Sequence, residues 1–472
     1  MRDLEQFYIN GQWVTPTSQT VSEVINPATE KACATIKLAN NDDVNQAVDA
    51  AKSAFSQFAF SSLSERLDLF ASIISEYKKR FDDIAFAISE EMGAPIKLAN
   101  TAQTIAGLSH LKAAFNILKT YPFVETCGKS QIIKEPIGVC ALITPWNWPL
   151  NQITCKVAPA LACGNTMILK PSEIAPVSAY VFTEVLHAAG VPAGVFNLIN
   201  GDGLGAGAQL TAHPQVDMVS FTGSTRAGIQ IAKNAATTIK RVTQELGGKS
   251  ANIILDDADF ETAVTRGTRA VFSNSGQSCD APTRLLVPED KMQQAAEIAA
   301  SVAASIKVGN PQDETTQMGP VVSEQQFTKV QNLIQQGIQE GAQLVCGGLG
   351  RPEHLTSGYY VKPTVFANVS NQMQIAQQEI FGPVLSIIAY QTDDQAIEIA
   401  NDSPYGLAGY IQGTNEQRIQ YIASRIRAGN ININGAYGDA YRPFGGYKQS
   451  GNGREIGQLG FDDFLEIKAI SR

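Results

Sequence analysis

Cys279 closes the run Gly276-Gln277-Ser278-Cys279 and is followed by Asp280. A thiol after such a turn is either a small buried apolar group or a nucleophile held out on a loop. As a nucleophile it needs surroundings that favour the thiolate, donors for the oxyanion it creates, and a base. Two other polar residues stand where apolar packing is expected. Asn147 lies between two tryptophans in TPWNWPL. Glu245 ends an expected strand in QELGGKS, beside the Gly247-Gly248 pair that lets a ligand or another backbone approach. Taken singly, each has a plainer reading: a buried thiol, a turn asparagine, a solvated glutamate.

Two glycine-rich turns are candidate phosphate cradles. Gly201-Asp202-Gly203-Leu204-Gly205-Ala206 satisfies G-x-G-x-x-[G/A], but it lies well inside the chain and has no acidic residue at a convincing distance for a ribose. FTGSTRAG (221–228) sits at an expected strand-to-helix turn, where free N–H groups and the helix dipole favour a phosphate. ELGGKS is not a Walker loop, because Thr243 stands where the first glycine belongs. The seven cysteines include no C-x-x-C pair and the four histidines are scattered, so no metal site is expected.

The elements that must position these residues read as α/β. At 472 residues the chain is long enough for two or three domains. Residues 43–118 are helical, with Leu67, Leu69, Phe70, Ile73, Ile74 and Tyr77 recurring at three- and four-residue spacing. The segment 120–136 reads as a hairpin around Cys127-Gly128-Lys129-Ser130. Short apolar runs at 138–143, 165–169, 194–199, 217–221 and 241–243 then alternate with helical stretches, which predicts a parallel sheet with right-handed crossovers. A second series starts at 251–255 and continues through RLLV, PTVF, VLSIIAY and NININ. FLEIKAI near the C-terminus is a strand that can pair with the early hairpin or with another subunit. The net charge of -9 comes without a dense basic run, so neither nucleic acid nor an anionic membrane surface is an expected partner. No secretory signal, no transmembrane span and unpaired thiols together predict a cytoplasmic protein.

TPWNWPL, LKPSE, FTGSTRAG, ELGGKS, NSGQSC, EIFGPV and PFGGYKQSGNGRE occur in one order and at wide spacing. Together they resemble the NAD(P)-dependent aldehyde dehydrogenase superfamily, over essentially the whole chain. The resemblance implies a Rossmann-like NAD-binding domain (1–119 and 137–249), a catalytic domain (250–442) and a segment, 443–462, returning to the first. It also implies a small β oligomerisation element (120–136 and 463–472), hence a homodimer or homotetramer.

It further implies that Cys279 attacks the aldehyde to give a thiohemiacetal. Asn147 and the Cys279 N–H hold the oxyanion, and Glu245 activates the water that hydrolyses the thioester. The cofactor residues implied are Pro145, Trp146, Lys170, Ser172, Glu173, Gly207, Phe221, Gly223, Ser224, Leu246, Glu379 and Phe381. Lys170 and Glu173 correspond to the adenosine-ribose pair, and a carboxylate there repels a 2′-phosphate, favouring NAD over NADP. Two rivals remain: a CoA-acylating relative, in which Glu245 would be superfluous, and a non-catalytic protein on the same scaffold. Asp280 departs from the small or apolar residue many relatives carry. It can disfavour anionic substrates or turn outward to bond the local backbone. Tyr437, Asp439 and Tyr441 are candidates for the substrate entrance.

Overall fold

The structure is a computed structural model and describes residues 1–471. An eight-stranded sheet has at its centre five parallel strands: Arg241–Glu245, Met218–Thr222, Val139–Ile143, Thr166–Lys170 and Phe196–Leu198, in that spatial order. Val139–Ile143, Thr166–Lys170 and Met218–Thr222 are buried on both faces. That is why they read as continuous apolar runs rather than alternating ones. Phe7–Ile9 and Gln12–Val14 extend one edge antiparallel, and Gly451–Asn452 pairs antiparallel with Arg241–Glu245 at the other. The segment after residue 443 therefore comes back to this sheet.

The second sheet has seven strands. Ala251–Ile254 is flanked by Arg284–Pro288 and Ala408–Gln412, with Thr364–Ala367, Val384–Tyr390 and Asn430–Ile433 also parallel and Gln343–Cys346 antiparallel at one edge. Helices Phe260–Phe272 and Met292–Ser305 pack on it through an apolar face including Val264, Val271 and Ala299. The strand Ala408–Gln412 escapes sequence inspection, because Gly409 and the polar Gln412 break up its apolar run.

A three-stranded antiparallel sheet joins Val124–Cys127, Ser130–Pro136 and Leu465–Ser471. The C-terminal strand thus pairs with the early hairpin of the same chain. Arg472, which ends the 463–472 range, lies outside the described residues. An N-terminal sheet of Arg2–Leu4, Val21–Asn26 and Lys31–Lys37 was not legible in the sequence.

Candidate active site

The site lies among loops that leave the first large sheet and loops that enter the second. Ile143, Lys170, Thr222 and Glu245 are the last residues of four adjacent parallel strands and are aligned in register, Glu245 with Thr222, and Ile143 with Lys170. Ligand-binding loops of open parallel sheets leave from this carboxyl end. The facing loops enter the second sheet: Gly247-Gly248 leads into Ala251–Ile254, Cys279 into Arg284–Pro288 and Phe381 into Val384–Tyr390.

The loop carrying Cys279 is held in an unfavourable backbone. Asn274, Ser275 and Gly276 have successive φ values of 51°, 56° and 74°. Left-handed backbone costs about 1–2 kcal/mol at a residue bearing a Cβ. The surroundings over-determine it. Gln103 Nε2 donates to Asn274 Oδ1 at 3.0 Å, and Ser275 Oγ donates to the Gly319 carbonyl at 2.8 Å. Gln277 Oε1 accepts from Val322 N at 2.9 Å. Gly276 packs directly on the Gly382 carbonyl, which leaves no room for a side chain.

Asn274 and Gln277 also tie Asn147 to the loop. Asn147 Nδ2 donates to the Gln277 carbonyl at 3.1 Å, and Asn274 Nδ2 donates to the Asn147 carbonyl at 2.9 Å. One N–H of the Asn147 amide is thereby anchored, and the other remains for a ligand beside Cys279. Trp148 Nε1 donates to Ser278 Oγ at 2.8 Å, a third cross-link.

Two cavities meet at this point. A smaller one of about 200 Å³ is lined by Trp146, Gly223, Leu246, Glu379 and Phe381, among others. A larger one of about 630 Å³ is lined by residues including Ile105, Trp148, Asp280, Tyr410 and Arg442. Asn147 and Cys279 belong to both walls. Pro145 and Ser224 also line the smaller cavity. Its shape depends on three local features. Gly247 leaves space for the Glu379 carboxylate, whose Oε2 would lie 2.5 Å from any Cβ there, while Glu379 Oε1 accepts from Gly248 N at 3.0 Å. Phe381 has φ of 60° and meets Trp146 edge to face at 5.3 Å. Gln326 Nε2 fixes that backbone by donating to the Ile380 and Phe381 carbonyls at 3.0 and 2.8 Å.

Lys170, Ser172, Glu173 and Gly207 form a neighbouring group at the next strand end and are not part of that cavity wall. Lys170 Nζ donates to the Pro171 carbonyl at 3.0 Å and lies 3.5 Å from Glu173 Oε2. Gly207 rests against the Lys170 stem. Phe221 is buried under Gly223, and Ser224 caps the helix Thr225–Ala235 by accepting from Ala227 N at 3.3 Å.

Glu245 lines neither cavity. Its carboxyl is sealed, and both oxygens lack a protein partner. Burial raises its pKa well above the usual carboxylate range, nearby Glu455 adds to the rise, and Lys156 opposes it. Lys156 and Glu455 form a buried ion pair, and Lys156 Nζ also donates to Thr222 Oγ1 at 2.8 Å. Burial likewise pushes the Cys279 thiol far up, helped by the carboxyls of Asp280, Glu379 and Glu245, so the resting thiol is protonated at neutral pH.

Asp280 lines the larger cavity rather than turning outward, as do Tyr437 and Asp439. Tyr441 does not, and its hydroxyl accepts from Asn116 Nδ2 at 2.9 Å. Sequence inspection missed Lys156, Glu455, Gln326 and Lys329. A lysine in the otherwise apolar run KVAPALA was the one available signal. Among the described residues no cluster of three or more His, Cys, Asp or Glu could hold a metal ion, and no helix is long and apolar enough to cross a membrane.

A thiol flanked by an amide donor, backed by a buried carboxyl and reached from two cavities suits covalent chemistry on two ligands at once. Residues 13–470 match the model of the aldehyde dehydrogenase family, and the chain belongs to that family. It is 54% identical over 471 residues to 3-succinoylsemialdehyde-pyridine dehydrogenase of Pseudomonas sp, covering 100% of this chain and 99% of that protein. A crystal structure of a mutant aldehyde dehydrogenase C from Pseudomonas syringae, complexed with NAD+ and octanal, superposes with a TM-score of 0.98 at 50% identity, covering 99% of this chain and 96% of that one. An aldehyde dehydrogenase from Bartonella henselae gives 0.98 at 49% identity, covering 100% of both chains.

Proposed function

We propose that the protein oxidises an aldehyde to the carboxylic acid with NAD, through an acyl group carried on Cys279. The observation that carries this reading is the meeting of two cavities at Cys279 and Asn147. The smaller cavity suits a dinucleotide. The capped N-terminus of Thr225–Ala235 offers N–H groups to a pyrophosphate, Glu379 offers a carboxylate to a ribose, and Lys170 with Glu173 suits the second ribose. NAD bound there supplies a hydride acceptor. The crystal structures of related enzymes with NAD+ support the choice, and Glu173 favours NAD over NADP.

Cys279 loses its proton to solvent through the substrate cavity, and its Sγ then bonds to the aldehyde carbon. The free Asn147 N–H and the Cys279 backbone N–H stabilise the alkoxide. Loss of hydride from that carbon leaves a thioester on Cys279. The Glu245 carboxylate then takes a proton from water, hydroxide adds to the thioester, and the acid leaves as the proton on Glu245 passes to the departing sulfur. Because Glu245 starts sealed away from both cavities, its side chain must swing toward Cys279 for this step. Behind it, Glu455 raises and Lys156 lowers the Glu245 pKa, so the buried ion pair tunes the strength of this base.

The hairpin 120–136 and the C-terminal strand suit an oligomerisation element. Val124 and Ile467 are exposed on it at 56% and 71%, and this supports a homodimer or homotetramer. Seven unpaired cysteines suit a reducing cytoplasm. The test is a panel of aldehydes with NAD, with and without CoA. Free acid and NADH in equal amounts are expected. No NADH with any aldehyde would leave a binding protein, and acyl-CoA in place of acid would make the enzyme a CoA acylator.

A further inference from the structure

The larger cavity has two unlike walls. One is apolar: Leu98, Ala102, Ile105 and Ala106 share one face of the segment running through Ala99–Gln103 into helix Thr104–Leu118. The other carries amides and a carboxyl. Asn151 and Gln152 come from the first turn of helix Pro149–Ala162, and Asp280 follows the nucleophile.

The hydrogen-bond pattern shows what these groups offer a ligand. His110 Nε2 lies 2.7 Å from Asn151 Oδ1, and an amide oxygen only accepts, so Nε2 carries the ring proton. Burial keeps that ring neutral. Asn151 Nδ2 is left without a protein acceptor. The Gln152 oxygen has only a distant contact from Cys155 Sγ at 4.0 Å, and its amide nitrogen also donates to no protein atom among the described residues. Both amides line the cavity, so both can donate to a ligand there.

Charge in the cavity is one-sided. Asp280, Asp439 and Glu455 line it against Arg442, whose Nη1 is occupied by Asn432 Oδ1 at 2.7 Å. Lys156 neutralises Glu455, and Asp439 Oδ1 accepts from Tyr441 N and Arg442 N at 2.9 and 3.2 Å. The Tyr410 hydroxyl donates to the Asp280 carbonyl at 3.0 Å. Burial raises the Asp280 pKa and Arg442 lowers it, so these two groups partly offset each other, and with Asp439 they leave a small excess of negative charge for an entering carboxylate to meet.

We propose that Asn151, Gln152 and Asp280 are specificity-determining residues, and that the cavity selects an uncharged aldehyde bearing a second carbonyl over its plain alkyl and its anionic counterparts. The inference rests on the aldehyde oxidation read above. Donors that face the substrate and have no protein acceptor favour a ligand bringing a carbonyl over the analogue that lacks one. A like charge in a water-poor cavity adds repulsion.

The test compares 5-oxohexanal, hexanal and 5-oxopentanoate, three chains of nearly one size. The expected order of kcat/KM is as written, with about tenfold or more between first and last. Asn151→Leu and Gln152→Leu are expected to bring the 5-oxohexanal/hexanal ratio toward one, and Asp280→Asn to raise the 5-oxopentanoate/hexanal ratio about tenfold. A 5-oxopentanoate rate equal to or above that of 5-oxohexanal would overturn the proposal. So would ratios unmoved in these variants, or a hexanal rate equal to or above that of 5-oxohexanal. Failure to oxidise any of the aldehydes would instead sink the enzymatic reading itself.

Discussion

The two cavities that share Cys279 are built of different material. The smaller is shaped by backbone: the Gly223 turn, the Gly247 gap filled by Glu379, and Phe381 held at φ 60° by Gln326. The larger is shaped by side chains that stand on helix faces, on the strand Ala408–Gln412 and on the loops carrying Asp280 and Arg442. A backbone-shaped cavity tolerates few substitutions, because a Cβ in the wrong place meets main chain or carboxylate. A side-chain cavity can be repapered without moving the chain. The first suits a constant ligand such as a dinucleotide, and the second suits a substrate that differs from enzyme to enzyme.

Substitutions at and just behind the shared wall should stop the chemistry and have the largest effect. Cys279→Ala is expected to lower kcat by about a millionfold, to background. NAD affinity, read by fluorescence or calorimetry, should be nearly intact. Residual turnover above about a hundredth of wild type would place the acyl group elsewhere. Glu245→Gln is expected to slow steady-state turnover by about a thousandfold. The first turnover should still release a burst of NADH, seen by stopped flow. Asn147→Ala follows at about 10²–10³ in kcat, the usual loss for one oxyanion donor. That loss should be similar across aldehydes, because the donor faces the carbonyl oxygen and not the chain.

Smaller effects should separate the two cavities. Glu173→Gln is expected to raise the kcat/KM ratio of NADP to NAD about tenfold without changing the order of aldehydes. A changed aldehyde order would break the separation. The pH profile depends on groups behind the shared wall. Burial raises the pKa values of both Glu245 and Cys279, and each works in its deprotonated form, so activity should climb from neutral into alkaline pH. A flat profile from pH 5 upward would mean that Glu245 ionises as if exposed and that the site stabilises the Cys279 thiolate instead of disfavouring it.

The same contrast explains what the sequence revealed. Gly223, Glu379, Phe381 and Cys279 sit in short motifs, because a backbone-shaped site writes its requirements into consecutive residues. Asn151, Gln152, Tyr410 and Arg442 are brought together only by folding across nearly three hundred positions, and none is unusual in its local stretch. Buried parallel strands were legible as continuous apolar runs, whereas Arg2–Leu4 and Ala408–Gln412 were too short or too mixed. Asp280 was visible as an oddity, but its facing could not be read until Tyr410 and Arg442 were placed beside it. The ion pair of Lys156 and Glu455 joins residues 299 positions apart, and only the lysine looked out of place.

The central claim is that an acyl group rests on Cys279 between the two cavities. Glu245→Gln enzyme mixed with aldehyde and NAD, quenched within the first turnover and weighed intact, tests it directly. The account predicts one acyl mass per subunit, mapped to Cys279 and matched by one NADH. NADH formed without an adduct, or an adduct on any other cysteine, would contradict it.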